Sequence, residues 1–377
     1  MDPHGPIAGR FPLVARFRPA CLPLPERVRS VTVLASRAVE QSDQGLASTV
    51  FNQTALIASD LGLPDLARAM CHRHAEAYLN ACPLPAMAAI RALEPLVNLA
   101  RLQIRAGRTD EGRQRLLDLY EAVGTGVDVS FEGITVPADL TSIEGDRHEV
   151  RAWLWRVLLA DGTRSLTTTG RWSEALAHIE QHRGVGTRML DGRQVAVIAA
   201  LTSGKTSRAH EFLASTAPGD PWEHAVTACL MTLCRRAAGQ PVDGSLTSLV
   251  NTFLSHEAHA GMTVFDVRLG LTVVDVVGSA AHPGSRRLID DLCRRTTEAR
   301  NGYAAREVLA HPLFDALAKD TQRQDCEDLL RSCALDSGVL PDGLHRDLET
   351  ALGIGEMVLD HALKGAKEPG ISTARKQ

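Results

Sequence analysis

Gly170-Arg171-Trp172-Ser173-Glu174-Ala175-Leu176 joins two apolar helical runs, RAWLWRVLLADGTRSLTTT before the glycine and WSEALAHIE after it. The same step from a glycine to a small residue five positions on recurs from Gly62 to Ala67, Gly107 to Gly112, Gly204 to Ala209 and Gly239 to Gly244. The last three glycines are 34 and 35 residues apart. That period belongs to stacked helix-turn-helix units, each of which buries its apolar face against its neighbours. The spacing therefore predicts an all-α solenoid over about residues 45–256.

The individual units fit this reading. LASTVFNQTALIASDLG is followed by LPDLARAMCHRHAEAYL, with Pro64 in the first turn, where its missing N–H costs nothing. PLVNLARLQIRAG is followed by TDEGRQRLLDLYEAV, with Asp110 and Glu111 placed to favour the helix dipole. The first two glycine intervals are longer, 45 and 63 residues, because each carries an insertion. The longer insertion spans 122–149. Within it VDVSF (127–131) alternates, Glu132-Gly133 makes a turn and ITV (134–136) alternates again, which predicts a β-hairpin. Insertions of this kind project from one face and often cover the binding surface. The hairpin is thus expected near the groove mouth and dispensable to the helices.

The central turn of the third unit, with Gly170, Trp172 and Ala175, resembles that of a tetratricopeptide repeat. The whole chain is also similar to a group of actinobacterial proteins of unknown role. The first resemblance implies a right-handed superhelix whose first helices line a concave groove. It departs from the family throughout in lacking the aromatic at the end of the first helix, and in two of five units, where the small residue is Gly rather than Ala.

Around this core the chain divides into four expected parts. Residues 1–25 hold six prolines and read as a mobile arm. Residues 26–256 carry the repeats, 257–363 irregular helical pairs, and 364–377 a polar, disordered tail. Hydrophobic residues make up 44% and aromatics only 4%, so the core must be built from aliphatic side chains. Of 41 basic residues five are lysine, a coding bias rather than a nucleic-acid signal, and the net charge of −4 gives no global basic field. The eight cysteines form no CxxC pair and read as reduced, packed thiols of a cytoplasmic protein. No stretch reaches the length of a membrane span.

Aligning the units on their glycines, the resemblance implies groove positions at Asn52 and Gln53, at Asn98, Arg101 and Arg105, at Asp161 and Arg164, and at Asp191 and Gln194. Polar groups at such positions, if buried, need partners, either one another or a ligand. Arg101 is expected opposite Asp161. Cys71 and His74 share a helix face, but without a second half-site they read as a packed thiol and a solvent-facing ring, not a metal site. Gly184-Val185-Gly186 follows no strand and reads as a helix stop. No nucleophile elbow, paired catalytic carboxylates or cofactor motif is present, so no catalytic residue and no cofactor is assigned. The expected function is a scaffold or regulator that binds a protein or peptide in its groove, without direct nucleic-acid or membrane contact. The alternative is a small-molecule sensor or enzyme, with the 127–136 hairpin closing a pocket over Asn98, Arg101, Asp161 and Arg164.

Overall fold

The structure is a computed structural model that describes residues 1–367. It is an all-α helical repeat fold with one small two-stranded insertion among the described residues. The repeating step is visible at each junction. Gly62, Gly107, Gly170, Gly204 and Gly239 have φ of 76, 82, 71, 71 and 70°, the left-handed region that glycine enters without penalty. In each case the next residue donates its N–H to the carbonyl five positions back. The bonds run from Leu63 to Ala58, Arg108 to Gln103, Arg171 to Leu166, Lys205 to Ala200 and Gln240 to Arg235, at 2.8–3.0 Å. This six-to-one bond satisfies a helix-end carbonyl and fixes the direction of the next helix.

Contacts divide the chain into two units. The hairpin unit comprises Pro25–Leu158 and the residues from Asp336 onward, and the arm unit comprises Met1–Leu24 and Leu159–Leu335. The hairpin unit contains α2 (Leu24–Gln41), α3 (Gln44–Asp60), α4 (Pro64–Leu79), α5 (Ala86–Arg105), α6 (Thr109–Thr125), β1 (Val129–Phe131), β2 (Ile134–Val136), α7 (Glu144–Val157) and α19 (Asp342–Lys367). Helices α3 to α6 stack in order, α7 covers α5 and α6, and α19 lies against α3 and α4. Ala67 is fully buried at its crossing, and at Gly112 an added Cβ would lie 2.7 Å from the Ala100 carbonyl oxygen.

The arm unit begins with α1 (Pro6–Arg10). After a π-helical turn, Leu158–Gly162, come α8 (Thr163–Thr167), α9 (Trp172–Gln181), α10 (Asp191–Thr202), α11 (Thr206–Ala214), α12 (Pro221–Ala237), α13 (Asp243–Ser255), α14 (Thr263–Val277), α15 (Pro283–Glu298), α16 (Gly302–Leu309), α17 (Pro312–Leu317) and α18 (Asp320–Cys333). Its aliphatic core runs from Leu166 through α10, α12 and α14 to Phe314. Ala175 and Ala209 close two of its crossings and are fully buried. Gly244, the fifth small residue, is exposed and has no neighbour near its missing Cβ. The step glycine Gly239 is conserved in geometry there, but the close crossing is not.

Three boundaries differ from the expected ones. The proline-rich arm is packed, with Ala8, Phe11 and Leu13 inside the arm unit's core, because its spaced apolar residues find a surface that local composition does not reveal. The division expected at 256 is absent, since α13 packs on α14 and α12 on α14 without interruption. The expected tail of 364–377 lies, from residue 368 on, outside the described residues, and α19 continues to Lys367. Among the described residues no helix is long and apolar enough to cross a membrane.

Candidate functional site

In the hairpin unit the expected groove residues form a polar ladder between α3 and α5. The Asn52 amide donates to Glu94 Oε2 at 2.7 Å and accepts from Asn98 Nδ2 at 3.1 Å. Arg101 Nη1 donates to Asn98 Oδ1 at 3.0 Å, one helical turn away. Below it, Arg105 bonds Ser59 Oγ and lies 3.9 Å from Asp60, whose other oxygen takes Arg27 Nη2 at 2.6 Å. Above it, Arg91 donates to Gln44 at 3.1 Å. Gln53, next to Asn52, is half-buried and makes no side-chain hydrogen bond among the described residues. Burial raises the Glu94 pKa against the hydrogen bond from Asn52 and the charges of Arg91 and Arg101. Glu94 is the residue that alignment on the glycines missed. Its spacing of four from Asn98 puts both on one face of α5, and that is the signal that could have found it. The ladder is also more open than expected. Arg101 and Arg105 are exposed, so neither demands a buried counter-charge.

In the arm unit Asp161 lies in the π-helical turn, Arg164 on α8, and Asp191 and Gln194 on α10. Asn98 and Arg101 thus belong to one unit, Asp161 and Arg164 to the other. Gln194 is fully buried and spans the backbone of Leu13. Its Oε1 accepts from the Leu13 N–H at 2.6 Å and its Nε2 donates to the Leu13 carbonyl at 2.6 Å. The same Nε2 donates to the Met189 carbonyl at 3.0 Å, which fixes the amide's orientation. Three residues on, Arg16 Nη2 meets Asp191 Oδ2 at 2.7 Å. Upstream, the Trp172 indole donates to the Pro3 carbonyl at 3.0 Å. Downstream, Gly302 donates to the Cys21 carbonyl at 2.8 Å. The arm is therefore held as a peptide is held: side chains grip its main chain at intervals while Phe11 and Leu13 fill apolar space.

The hairpin does not cover the ladder. Strand β2 packs on α4 and β1 on α6, the second helices of their pairs, whereas the ladder lies on the first helices. Glu132, at the hairpin tip, accepts from Gln103 at 2.7 Å, pairs with Arg115 and approaches Arg68 at 3.7 Å. The turn Glu132-Gly133 has φ of 47 and 86°, the two-residue left-handed geometry that suits strand twist. Phe131, Ile134 and Val136 are buried, so the hairpin is part of the hydrophobic interior rather than a projecting lid.

The remaining chemistry is structural. Cys71 is buried, which pushes its thiol up to about 12. His74 is buried rather than solvent-facing; it stacks on Phe51 at 5.0 Å, and desolvation pushes its pKa down to about 3. Among the described residues no three His, Cys, Asp or Glu side chains converge as a metal site. A shallow cleft of about 600 Å³ opens between α12 and α13, lined by Met231, Arg235, Gly244 and Ser248, where the fifth crossing is loose. None of the expected groove residues lines it. Compared with protein-family models, with curated proteins and with solved structures, the chain matches none.

Proposed function

We propose that this chain is a polypeptide-binding scaffold that holds an extended segment of a protein partner along its repeat groove. The carrying observation is the grip of Gln194 on both main-chain groups of Leu13. A side-chain amide that pairs with one residue's N–H and C=O reads an extended backbone without regard to its sequence. In the arm unit that position is taken by the chain's own N-terminal segment. In the hairpin unit the corresponding helices carry Asn52, Asn98, Arg101 and Arg105, exposed at the arginines and rich in amide groups. These residues are the proposed contacts for a partner segment. The resemblance to tetratricopeptide repeats points the same way. The alternative of a closed small-molecule pocket loses its lid, since the hairpin packs on α4 and α6.

The test is display selection of random linear peptides on the purified chain, in parallel with an Asn52→Ala, Asn98→Ala variant. The proposal expects enriched peptides that bind the parent and lose most affinity for the variant. Equal binding to both, at equal helical content, removes the hairpin-unit ladder as the site.

A further inference from the structure

We propose that Cys21 and Cys333 are the two halves of a reversible disulfide that fastens the N-terminal arm to the end of α18. Both belong to the arm unit, so the device stands whether or not the groove of the hairpin unit binds a partner. Cys21 is the single cysteine of residues 1–24, and Cys333 is the last residue of α18. Both are thiols in this structure.

The two cysteines lie 312 residues apart in sequence, yet Cys333 Sγ donates to the Cys21 carbonyl oxygen at 3.0 Å. Their side chains share one small apolar cluster with Tyr303, and both are buried. Gly302 borders the contact. A Cβ there would lie 2.7 Å from Cys333 Cβ and Sγ and 3.3 Å from the Cys21 oxygen, so the missing side chain leaves room for the cysteines to meet. Cys21 is held at both of its main-chain groups. Its N–H donates to Asn301 Oδ1 at 3.4 Å, and its carbonyl accepts from the Gly302 N–H at 2.8 Å. Three residues earlier, the Arg18 guanidinium stacks 4.2 Å over the Tyr303 ring. Disulfides span Cα atoms up to about 7 Å apart, and a sulfur in contact with the other cysteine's main chain is within that reach.

The oxidant is a small-molecule disulfide. One cysteine thiolate attacks a sulfur of that disulfide, and a first small thiolate leaves. The second cysteine thiolate then attacks the mixed disulfide, and a second small thiolate leaves. The two protons given up by the cysteines end on the two leaving thiols, so two cysteines are oxidised and one small disulfide is reduced. Because both sulfurs are buried, exchange proceeds when the end of the arm lifts, and the new bond holds it once it returns. Excess small thiol reverses both steps and leaves the arm on its noncovalent contacts. Cys293 and Cys326 are another close pair, hydrogen-bonded between α15 and α18. A bond there would join two helices that already pack on each other and would leave the arm unchanged.

The experiment incubates the full chain, folded and without denaturant, with oxidised glutathione. Remaining thiols are blocked in acid, the chain is digested without reduction, and the linked peptides are identified by mass spectrometry. The expected result is a peptide pair joined through Cys21 and Cys333, lost on treatment with dithiothreitol. Hydrogen exchange of the amides of residues 1–22 should be slower in the oxidised chain than in the reduced one. Cys21→Ser should abolish both the link and the slowing, while Cys293→Ser should keep both. The mapping is made on the parent chain, so it decides the matter even where a variant fails to fold. Three results overturn the proposal: no link between Cys21 and Cys333 in a chain that keeps its helical signal, a link between Cys293 and Cys326 in its place, or arm exchange that is equal in the two forms.

Discussion

At Gly112 the absence of one carbon sets the distance between two helices. A Cβ there would meet the Ala100 carbonyl oxygen at 2.7 Å and Ile104 at 2.6 Å, and the backbone oxygen cannot swing aside. Gly112→Ala is therefore expected to cost about 1–3 kcal/mol by overpacking, against its gain in helix propensity. A denaturant midpoint equal to the parent's would place the crossing elsewhere. His74 offers a second test, through pH. Its folded pKa, about 3, lies below the ordinary histidine value of 6.5, so folding holds it neutral. The stability it permits is fully present above pH 6.5 and is lost as pH falls toward 3, by at most about 1.4 kcal/mol per pH unit. His74→Leu should flatten the melting midpoint between pH 6.5 and 4 relative to the parent, and parallel curves would show that the ring is not the acid-sensitive group. These residues also show what the sequence discloses. The glycine-to-small step marks a helix end and a crossing through local chemistry, so it is legible. That Gln194 grips Leu13 is not, because the two are 181 residues apart and no local pattern records the pairing.

The hairpin is the element whose shape was legible and whose place was not. Alternation and the Glu132-Gly133 turn predict its strands and register, since both follow from neighbouring residues. Its docking depends on where an insertion between the second and third units comes to rest, and it comes to rest on α4 and α6. Glu132 shows how it is fixed. Burial would raise its pKa, but hydrogen bonds from Gln103 and Arg115 and the charges of Arg115 and Arg68 hold it below the usual carboxylate value. The hairpin should accordingly behave as core. Phe131→Ala is expected to destabilise the hairpin unit by about 3–5 kcal/mol. Thr135→Ala, on the exposed side of the same ladder, should stay within about 0.5 kcal/mol. Hydrogen exchange of α4 and α6 in the Phe131 variant gives the check: unchanged protection there would return the hairpin to the surface. Helix ends follow the same rule of locality. Each step glycine stops its helix as read, while the π-helical turn at Leu158–Gly162, where the two units divide, has no glycine-to-small step to announce it.

Across the whole molecule, the chain's first residues, α1 among them, complete a unit whose other helices begin only after residue 158. Prolines made residues 1–25 look mobile, because proline prevents regular pairing within the segment. Beyond α1 the prolines leave an extended chain ready to lie in a groove, and Phe11 and Leu13 supply the apolar area that holds it there. If the groove binds extended polypeptide in general, the arm should be separable from it. A chain lacking residues 1–22 is expected to melt lower than the parent, and a synthetic peptide of residues 1–22 should bind it in trans and restore the midpoint. Two properties of that complex follow from the geometry. Leu13 N-methylated in the peptide loses the N–H that Gln194 Oε1 accepts, and Gln194→Ala in the protein removes both bonds at once. Each hydrogen bond contributes about 0.5–1.5 kcal/mol net, so Gln194→Ala should weaken the peptide by roughly 5- to 150-fold. Arg16→Ala in the peptide removes an exposed ion pair to Asp191 and should cost less, about 0.2–1 kcal/mol. Calorimetric titration of the shortened chain with the three peptides measures all of this together. A peptide that binds equally well to the Gln194→Ala protein would show that the arm is held by its apolar residues alone, and the backbone grip on which the proposed function rests would fall with it.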